Sequence, residues 1–444
     1  MEGDTFTPSV MRYSDQYPAA TPVMDLNYSV CIPSNGGTFT PNQEIRIPIN
    51  VPADCFVDTK RAFLKYTINN NHASVDAYLD PMVGGAAFIE NWRVVSGTGA
   101  LLEEIIHYNA LCGLIEIQKA GDVVGSVGNL TQGSSDTPMT DLSISAAAGA
   151  TSTFGTVISA TQSKVITHRP NSAVFNCDKY MPFGYTQGTS YVALTLAALT
   201  TPLRVLSSAT DITDWTISNV ELHLPVLRPG NEFAQNFRTL LASGMPINIH
   251  AVGFQNSQQN IALNSVGAQT LTFSTRKRSV KSVLTVFRIN AQLTTNLCDS
   301  STAFKNCGIT EYQYSIGGVR VPSANIKANS ATDGNDVGEL FMNTSMALGH
   351  FDSSLRAAAT NASSYYNATD TTGSSRCAFA VDLESYGEGL AGKNLAGQGL
   401  PLVLYCQTAA TKAQSIGAVL ADLYIMHDIV FKLDGVSGTL SASS

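Results

Sequence analysis

The sequence predicts an all-β protein made of two consecutive domains of one fold, with a few short helices in the connections. Short runs of alternating apolar and polar residues, rich in β-branched and aromatic types, are separated by Gly, Asn, Ser and Pro clusters along the chain. Helical patterns are few, and the elements occur twice in the same order. This repeated order indicates a duplicated domain.

The strand patterns of the two halves correspond. In the first half the strand-like stretches are 44–68, 87–97 and 214–227. Their counterparts in the second half are 269–289, 309–326 and 421–433. The order matches although residue identity hardly does. We therefore expect an N-terminal arm (1–26), a first domain (27–228), a linker helix (229–245), a second domain (246–435) and a C-terminal tail (436–444).

The closing strand of each half has the clearest alternation. One face of the last strand carries Leu423, Ile425, Ile429, Phe431 and Leu433, and the other carries Asp422, Asp428 and Lys432. In the earlier strand, Val220, Leu222 and Leu224 oppose Glu221 and His223, whereas Trp215 and Ile217 have the opposite phase. Because a β-bulge shifts the phase by one residue, we expect a bulge near Asn219.

A broad apolar stripe over residues 101–119 predicts the first helix. Thr98 is placed to cap its start, Glu103 and Glu104 lie near its positive end, and Gly121 is placed to stop it.

Two further stretches have helical patterns. Residues 337–348 follow a capping-box pattern of Asp336 and Glu339 and precede Gly349. The stretch between Asn231 and Gly244 is expected to connect the two domains, and its apolar residues are Phe233, Phe237, Leu240 and Leu241.

Two long polar stretches, 121–162 and 349–375, occupy equivalent places, each between the helix and the later strands of its half. Both are nearly devoid of Lys and Arg and too long for hairpin connections. Flexible surface excursions are at least as good an interpretation of these loops as a specific binding role. If the domains stand side by side, both loops project from the outer end of the subunit as a tower. Because few large apolar residues are present, shortening the loops should leave folding intact.

The chain is poor in charge. Charged residues make up 14% and hydrophobic residues 44%, whereas about 25% charged is usual. Such a surface can be covered by neighbours without stripping water from many charges, which favours an assembly subunit. The net charge of −8 is unsuited to direct nucleic-acid binding. One basic cluster, interpreted as a solvated turn or a subunit contact, comprises Arg276, Lys277, Arg278 and Lys281.

The cysteines indicate a reducing compartment. They are scattered without CxxC spacing, at Cys31, Cys55, Cys112, Cys177, Cys298, Cys307, Cys377 and Cys406. We expect free buried thiols. Only Cys298 and Cys307 are close enough in a loop to suggest a bridge, and we expect none there.

Targeting signals are not expected. The start MEGDTFTPSV is acidic and lacks the apolar region of a signal peptide. No apolar run approaches the ~18–20 residues of a membrane span. Glycosylation motifs are interpreted as chance matches and occur at Asn27, Asn129, Asn343, Asn361 and Asn367.

No catalytic, cofactor-binding or metal-binding residues are predicted. The motifs GxxxxGK[ST], GxSxG and HExxH are absent from the sequence. His427 and Asp428 are successive strand residues that point to opposite faces, so we expect no catalytic dyad, and His427 is interpreted as a core or interface imidazole. The acidic stretch with Asp333, Asn335, Asp336 and Glu339 lacks EF-hand spacing and is interpreted as helix capping.

The ordered series of stretches resembles the double-jelly-roll major capsid proteins of double-stranded DNA viruses, and most of all the polinton-like and virophage branch of the tectivirus and adenovirus lineage. The stretches are VSGTGALLEEIIHYNALCGLI, WTISNVELHLPVL, YQYSIGGVRVP, FAVDLESYGEGLAGKNL, LPLVLYC and LADLYIMHDIVFKL. None is a specific fingerprint, and the resemblance rests on their order.

The resemblance implies two consecutive jelly-roll β-sandwiches and a non-enzymatic capsid protein. It implies a homotrimer whose six jelly rolls form a pseudo-hexagonal tile of an icosahedral shell, in contact with neighbouring capsomers and with minor capsid and penton proteins. An internal membrane beneath the shell stays open. The expected location is the virion, after synthesis in the reducing interior of the host cell. The alternatives are a jelly-roll glycan-binding (lectin-like) or receptor-binding protein, or a β-sandwich hydrolase with paired carboxylates.

Overall fold

A computed structural model describes residues 23–119, 123–135, 156–204, 214–261, 267–289, 304–328, 337–349, 365–366, 376–384, 390–396, 401–408 and 419–444. Sixteen strands within these ranges form four sheets of the main architecture.

The first eight strands are β1 (Val23–Cys31), β2 (Glu44–Pro48), β3 (Phe63–Asn70), β4 (Ile89–Val95), β5 (Leu101–Ile106), β6 (Ser163–His168), β7 (Tyr191–Leu196) and β8 (Trp215–Pro229). The second eight are β9 (Ile247–Ile261), β10 (Gly267–Phe273), β11 (Val280–Ile289), β12 (Ile309–Ile316), β13 (Val319–Lys327), β14 (Phe379–Asp382), β15 (Leu402–Thr408) and β16 (Val419–Leu433).

Each set of eight strands makes two antiparallel sheets with the same connectivity. The strand orders are β1-β8-β3-β6 and β2-β7-β4-β5 in the first set, and β9-β16-β11-β14 and β10-β15-β12-β13 in the second. Every strand therefore has a counterpart eight positions later in the numbering. This connectivity is the jelly roll, so the prediction of two consecutive β-sandwiches of one fold is confirmed.

Shorter elements complete the described chain. Short strands pair with β8 (Thr38–Phe39, Phe56–Val57) and with β16 (Leu440–Ser443), and a separate small sheet contains Ala77–Leu79, Val157–Ile158 and Leu203–Arg204. The helices are α1 (Tyr108–Ile117), α2 (Asn231–Ala242) and α3 (Gly338–Ala347). Single helical turns occur at Thr59–Arg61, Gly85–Phe88, Val124–Gly128, Asn129–Gln132, Val174–Asn176 and Phe183–Tyr185.

The predicted helix over 101–119 is wrong in its first part. Residues Leu101–Ile106 form β5, which pairs with β4, and helix α1 begins only at Tyr108. The turn before β5 is closed by a hydrogen bond from the amide of Ser96 to the carbonyl of Ala100 (2.8 Å), and Gly99 has a φ of 85°, which favours glycine. Thr98 therefore caps no helix, and Glu103 and Glu104 lie in β5 rather than at the positive end of a helix. The apolar residues of this stretch fit the period of a helix and the period of a strand, and pairing with β4 makes the stretch a strand.

The predicted bulge near Asn219 is confirmed. The register between β8 and β3 shifts between Ser218 and Glu221, and Asn219 has a φ of 51°. The shift allows Trp215 and Ile217 before it, and Leu222 after it, all to be buried.

The other two helices agree with prediction in position, and Gly349, with a φ of 68°, follows the end of α3 as expected, but Glu339 does not form the predicted capping box. Helix α3 has Val337 at its N-cap with no side-chain cap hydrogen bond, and Glu339 instead accepts a hydrogen bond from the amide of Lys327 (2.9 Å). Asp333, Asn335 and Asp336 lie outside the described residues.

Most of the two predicted loops lies outside the described residues, but residues shortly before each loop are placed. Gln118, at the end of α1, accepts a hydrogen bond from Ser345 of α3 (2.9 Å) through its side-chain oxygen. The chain thus enters both loops from adjacent positions. Within the second loop Tyr365 and Tyr366 are buried, so that stretch contributes to a core.

Residues 136–155 can be replaced by a short Gly-Ser linker with little change in the free energy of unfolding. The chain on either side is already joined, because the amide of Thr156 donates to the carbonyl of Gly133 (3.0 Å), and closure entropy changes by only about 0.6 kcal/mol per twofold change in length. Urea unfolding measures this. As a contrast, Tyr366→Ala should cost about 3–5 kcal/mol, because the ring is buried and its hydroxyl donates to the carbonyl of Ile309 (2.6 Å). An equal loss in the free energy of unfolding for the linker variant and for Tyr366→Ala would contradict the prediction that residues 136–155 contribute little to stability.

The seven cysteines that the structure describes are buried free thiols; Cys298 lies outside the described residues. Burial raises the pKa of Cys112 and of Cys307 to about 12. We expect slow alkylation of the native protein at pH 8 and fast alkylation in urea, because the thiolate is the reactive form. We expect no mass change on reduction, because the described thiols are not bridged. Rapid labelling of these thiols in the native protein, or a mass change on reduction, would contradict the prediction.

Candidate functional site

A polar contact lies between the two jelly rolls. We call it the seam: β5, α1 and residues 173–178 of the first jelly roll face β9, β16 and Leu440–Ser443 of the second. The hydroxyl of Tyr424 donates to the carbonyl of His107 (2.9 Å), and the amide of Asp178 donates to the carbonyl of His250 (3.0 Å).

Gly253 on β9 lets the two jelly rolls approach closely. A Cβ atom there would lie 2.5 Å from Cδ1 of Ile429, 3.0 Å from Cβ of Ala173 and 3.2 Å from Oε1 of Glu103. The last two atoms belong to the first jelly roll. A larger residue at this position would therefore push the two domains apart.

A buried ion pair lies on the second-domain side of the seam. The guanidinium of Arg288 on β11 donates to the carboxylate of Asp422 on β16 at 2.6 Å. Asp422 also accepts a hydrogen bond from Gln258 on β9 (2.9 Å). The pair is almost fully buried, so each charge depends on the other.

The first jelly roll presents a second pair beside it. The carboxylate of Glu90 contacts Nδ1 of His107 and accepts a hydrogen bond from the side chain of Asn109 (2.9 Å). Burial acts to raise the pKa of Glu90, but the hydrogen bond from His107 and the nearby Arg288 guanidinium lower it, and the net shift is downward. Glu90 is therefore held as a carboxylate near the second domain's arginine.

Glu103 is the most perturbed acid of the seam. It is buried and accepts hydrogen bonds from the hydroxyl of Ser172 and from the amide of Ala173 (2.8 Å). Burial raises the pKa of Glu103 to about 7, although these hydrogen bonds oppose the shift. Across the seam, burial lowers the pKa of Lys277, and the charge of Glu103 opposes that shift.

His427 and Asp428 do not share a site. The side chain of Asp428 contacts His250 (2.8 Å) and Ser279, whereas Nδ1 of His427 lies 3.1 Å from the backbone carbonyl oxygen of Asp428. Burial lowers the pKa of His427 to about 4. His427 lines a cavity of about 240 Å³ in the seam, together with Glu103 and Lys277.

The basic cluster is only partly a solvated turn. Arg276 and Arg278 are exposed as expected. Lys281, however, is buried on β11, where its ammonium group contacts Glu384 and lies 3.9 Å from Asp428. The interpretation as a solvated turn is therefore wrong for Lys281. Its partners, Glu384 and Asp428, lie far away in the sequence, so the local pattern did not indicate its burial.

The two jelly rolls are joined across the seam by hydrogen bonds, whereas the two ion pairs described above each lie within one jelly roll. With a pKa raised by burial to about 7, Glu103 can change protonation near neutral pH. In the ranges that the structure describes, no group of three or more His, Cys, Asp or Glu residues could hold a metal ion. None of the described helices has the length and apolar character needed to cross a membrane.

Sequence reasoning missed Glu103, Arg288 and Gln118 as seam residues. A usable signal existed for Glu103, which lies inside the apolar run LLEEII and takes a buried phase if that run is a strand. Arg288 gave no signal, because a charged residue at a strand end is usually exposed.

The comparisons with known proteins are structural. No family model and no curated protein sequence matches the chain. The PBCV-1 protein VP54, as fitted into a cryo-EM reconstruction of the virophage Sputnik, is similar over 97% of this chain and 99% of its own, with a TM-score of 0.60 and 9% identity. The Faustovirus major capsid protein covers 94% and 91%, with a TM-score of 0.58 and 9% identity. A chain of the Sputnik virophage structure covers 98% and 92%, with a TM-score of 0.54 and 12% identity. The chain shares the double-jelly-roll fold with these proteins over nearly its whole length.

Glu103→Gln should remove a pH dependence of stability. The pKa of Glu103 rises from 4.5 to about 7 on folding, so the folded state binds the proton more tightly. The free energy of unfolding must then fall as pH rises from about 4.5 to about 7, by about 3 kcal/mol. Urea unfolding at pH 5 and pH 8 measures the change. The free energy of unfolding of the variant minus that of the wild type should be larger at pH 8 than at pH 5.

The exposed neighbour Glu104 provides the control. Glu104→Gln should keep the wild-type pH dependence. Identical pH profiles for wild type and Glu103→Gln would contradict the assignment of the shifted group.

Proposed function

We propose that this chain is a major capsid protein, a non-enzymatic building block of the icosahedral shell of a double-stranded DNA virus. Three copies form one capsomer, in which six jelly rolls give a pseudo-hexagonal tile. The jelly rolls span residues 27–228 and 246–435, joined by a linker at 229–245, with an arm at 1–26 and a tail at 436–444.

The observation that carries this proposal is the pair of jelly rolls in one chain. Each has the same eight-stranded connectivity, and the whole arrangement is similar to the Faustovirus major capsid protein over 94% of this chain. A single jelly roll occurs in proteins of many functions, so fold alone is weak support. Two of them, side by side and matched over the full length, support a shell subunit more specifically.

The surface composition supports the same proposal. Only 14% of the residues are charged, so neighbouring copies can cover large areas while removing few charges from water. The proposed partners are other copies of this chain, minor capsid proteins and penton proteins, and the proposed location is the virion. Direct binding to the genome is not proposed, because the net charge is −8.

The purified protein should be a stable trimer. Native mass spectrometry and sedimentation should give three times the 47.1 kDa mass of one chain, and the trimer should persist on dilution because interfaces between permanent subunits are large. A monomer whose mass does not change with concentration would overturn the proposal.

A further inference from the structure

The contact between the two jelly rolls has two sides, and each jelly roll exposes the counterpart of the side that the other one uses. Within the chain, β5 of the first jelly roll is covered by β9 of the second at the seam. The counterpart of β9 is β1, and the counterpart of β5 is β13. None of the described residues covers β1 or β13 in the single chain: five of the seven residues 25–31 are exposed, and six of the nine residues 319–327 are exposed.

Strand β1 carries an apolar stripe that faces solvent. Leu26, Tyr28 and Val30, and Ile32 just beyond the strand, follow a spacing of two and so share one face. Their exposed fractions are 41%, 59%, 49% and 63%. The strand pairs with β8 on one side only, and a groove of about 1040 Å³ runs beside it. A long edge strand with an exposed apolar face is a site for association.

Strand β13 offers a complementary surface. It is the outer strand of its sheet, and Val319 at its start is 62% exposed. The two strands also differ in charge: β13 carries Arg320 and Lys327, whereas β1 carries Asp25 and no base.

We propose that β1 of one copy packs against β13 of a second copy, repeating between chains the contact that joins β9 to β5 within the chain. This inference rests on the proposed capsomer and names the surfaces that build it. The contact is head-to-tail, because each copy uses two different surfaces. Six such contacts, three within chains and three between them, close into a ring when each corresponds to a rotation of about 60° without translation.

Lysine substitutions on each strand test the proposal. Val30→Lys on β1 and Val319→Lys on β13 should each raise the dissociation constant of the trimer by at least ~100-fold, because an unpaired ammonium group would be buried. The matched control is Val165→Lys on β6, which is 52% exposed on the opposite edge of the β1 sheet. The control should remain a trimer. Circular dichroism and thermal melting verify folding, and Tyr28→Lys replaces Val30→Lys if the latter is insoluble.

Mixing the two variants tests the head-to-tail geometry. Val30→Lys keeps an intact β13, and Val319→Lys keeps an intact β1, so one native contact can form between them. An equimolar mixture should give a dimer with one copy of each variant and no closed trimer, as measured by native mass spectrometry.

The outcomes separate this inference from the proposed function. A trimeric wild type whose β1 and β13 variants also remain trimeric would overturn the assigned contact and leave the capsid proposal standing. Variants that lose the trimer but give no mixed dimer would overturn the head-to-tail pairing. A monomeric wild type would overturn the capsid proposal and this inference together.

Discussion

The architecture depends on the need to cover strand β16 on both faces. Val419–Leu433 is buried along nearly its whole length, including Asp422 and Asp428. A two-sheet sandwich covers only the inner face of each sheet, so the outer face needs another partner. In this chain the first jelly roll is that partner, and the hydroxyl of Tyr424 reaches the backbone of His107. Side-by-side placement of the domains follows from this constraint.

Polar residues then make the contact specific. The apolar cores of both jelly rolls belong to one continuous cluster, yet the seam between them contains Arg288, Asp422, Glu90 and Glu103. Burying charges gains little stability by itself, because desolvation offsets most of the Coulomb attraction. The Arg288 guanidinium of the second jelly roll lowers the pKa of Glu90 in the first, so a shifted alignment would separate these opposite charges. Gly253 adds a steric condition for the same alignment.

Much of the fold could be predicted because local patterns and tertiary contacts agree. The phase change around Asn219 identified a bulge, and the repeated element order identified two domains. The stretch at Leu101–Ile106 failed because its apolar residues fit a helix and a strand equally well, and pairing with a distant strand decided the outcome. The seam was beyond sequence reasoning for the same reason. The partners of Glu103 and of Lys281 lie far away in the sequence, and burial raises the pKa of Glu103.

In the proposed capsomer, one type of contact between jelly rolls is used once within each chain and again between chains. A cryo-EM map of the purified protein tests it most directly. We expect a closed ring of six jelly rolls from three chains, with β1 of each chain beside β13 of the next. A map with β1 facing solvent, or with two β1 strands paired across a twofold axis, would contradict it.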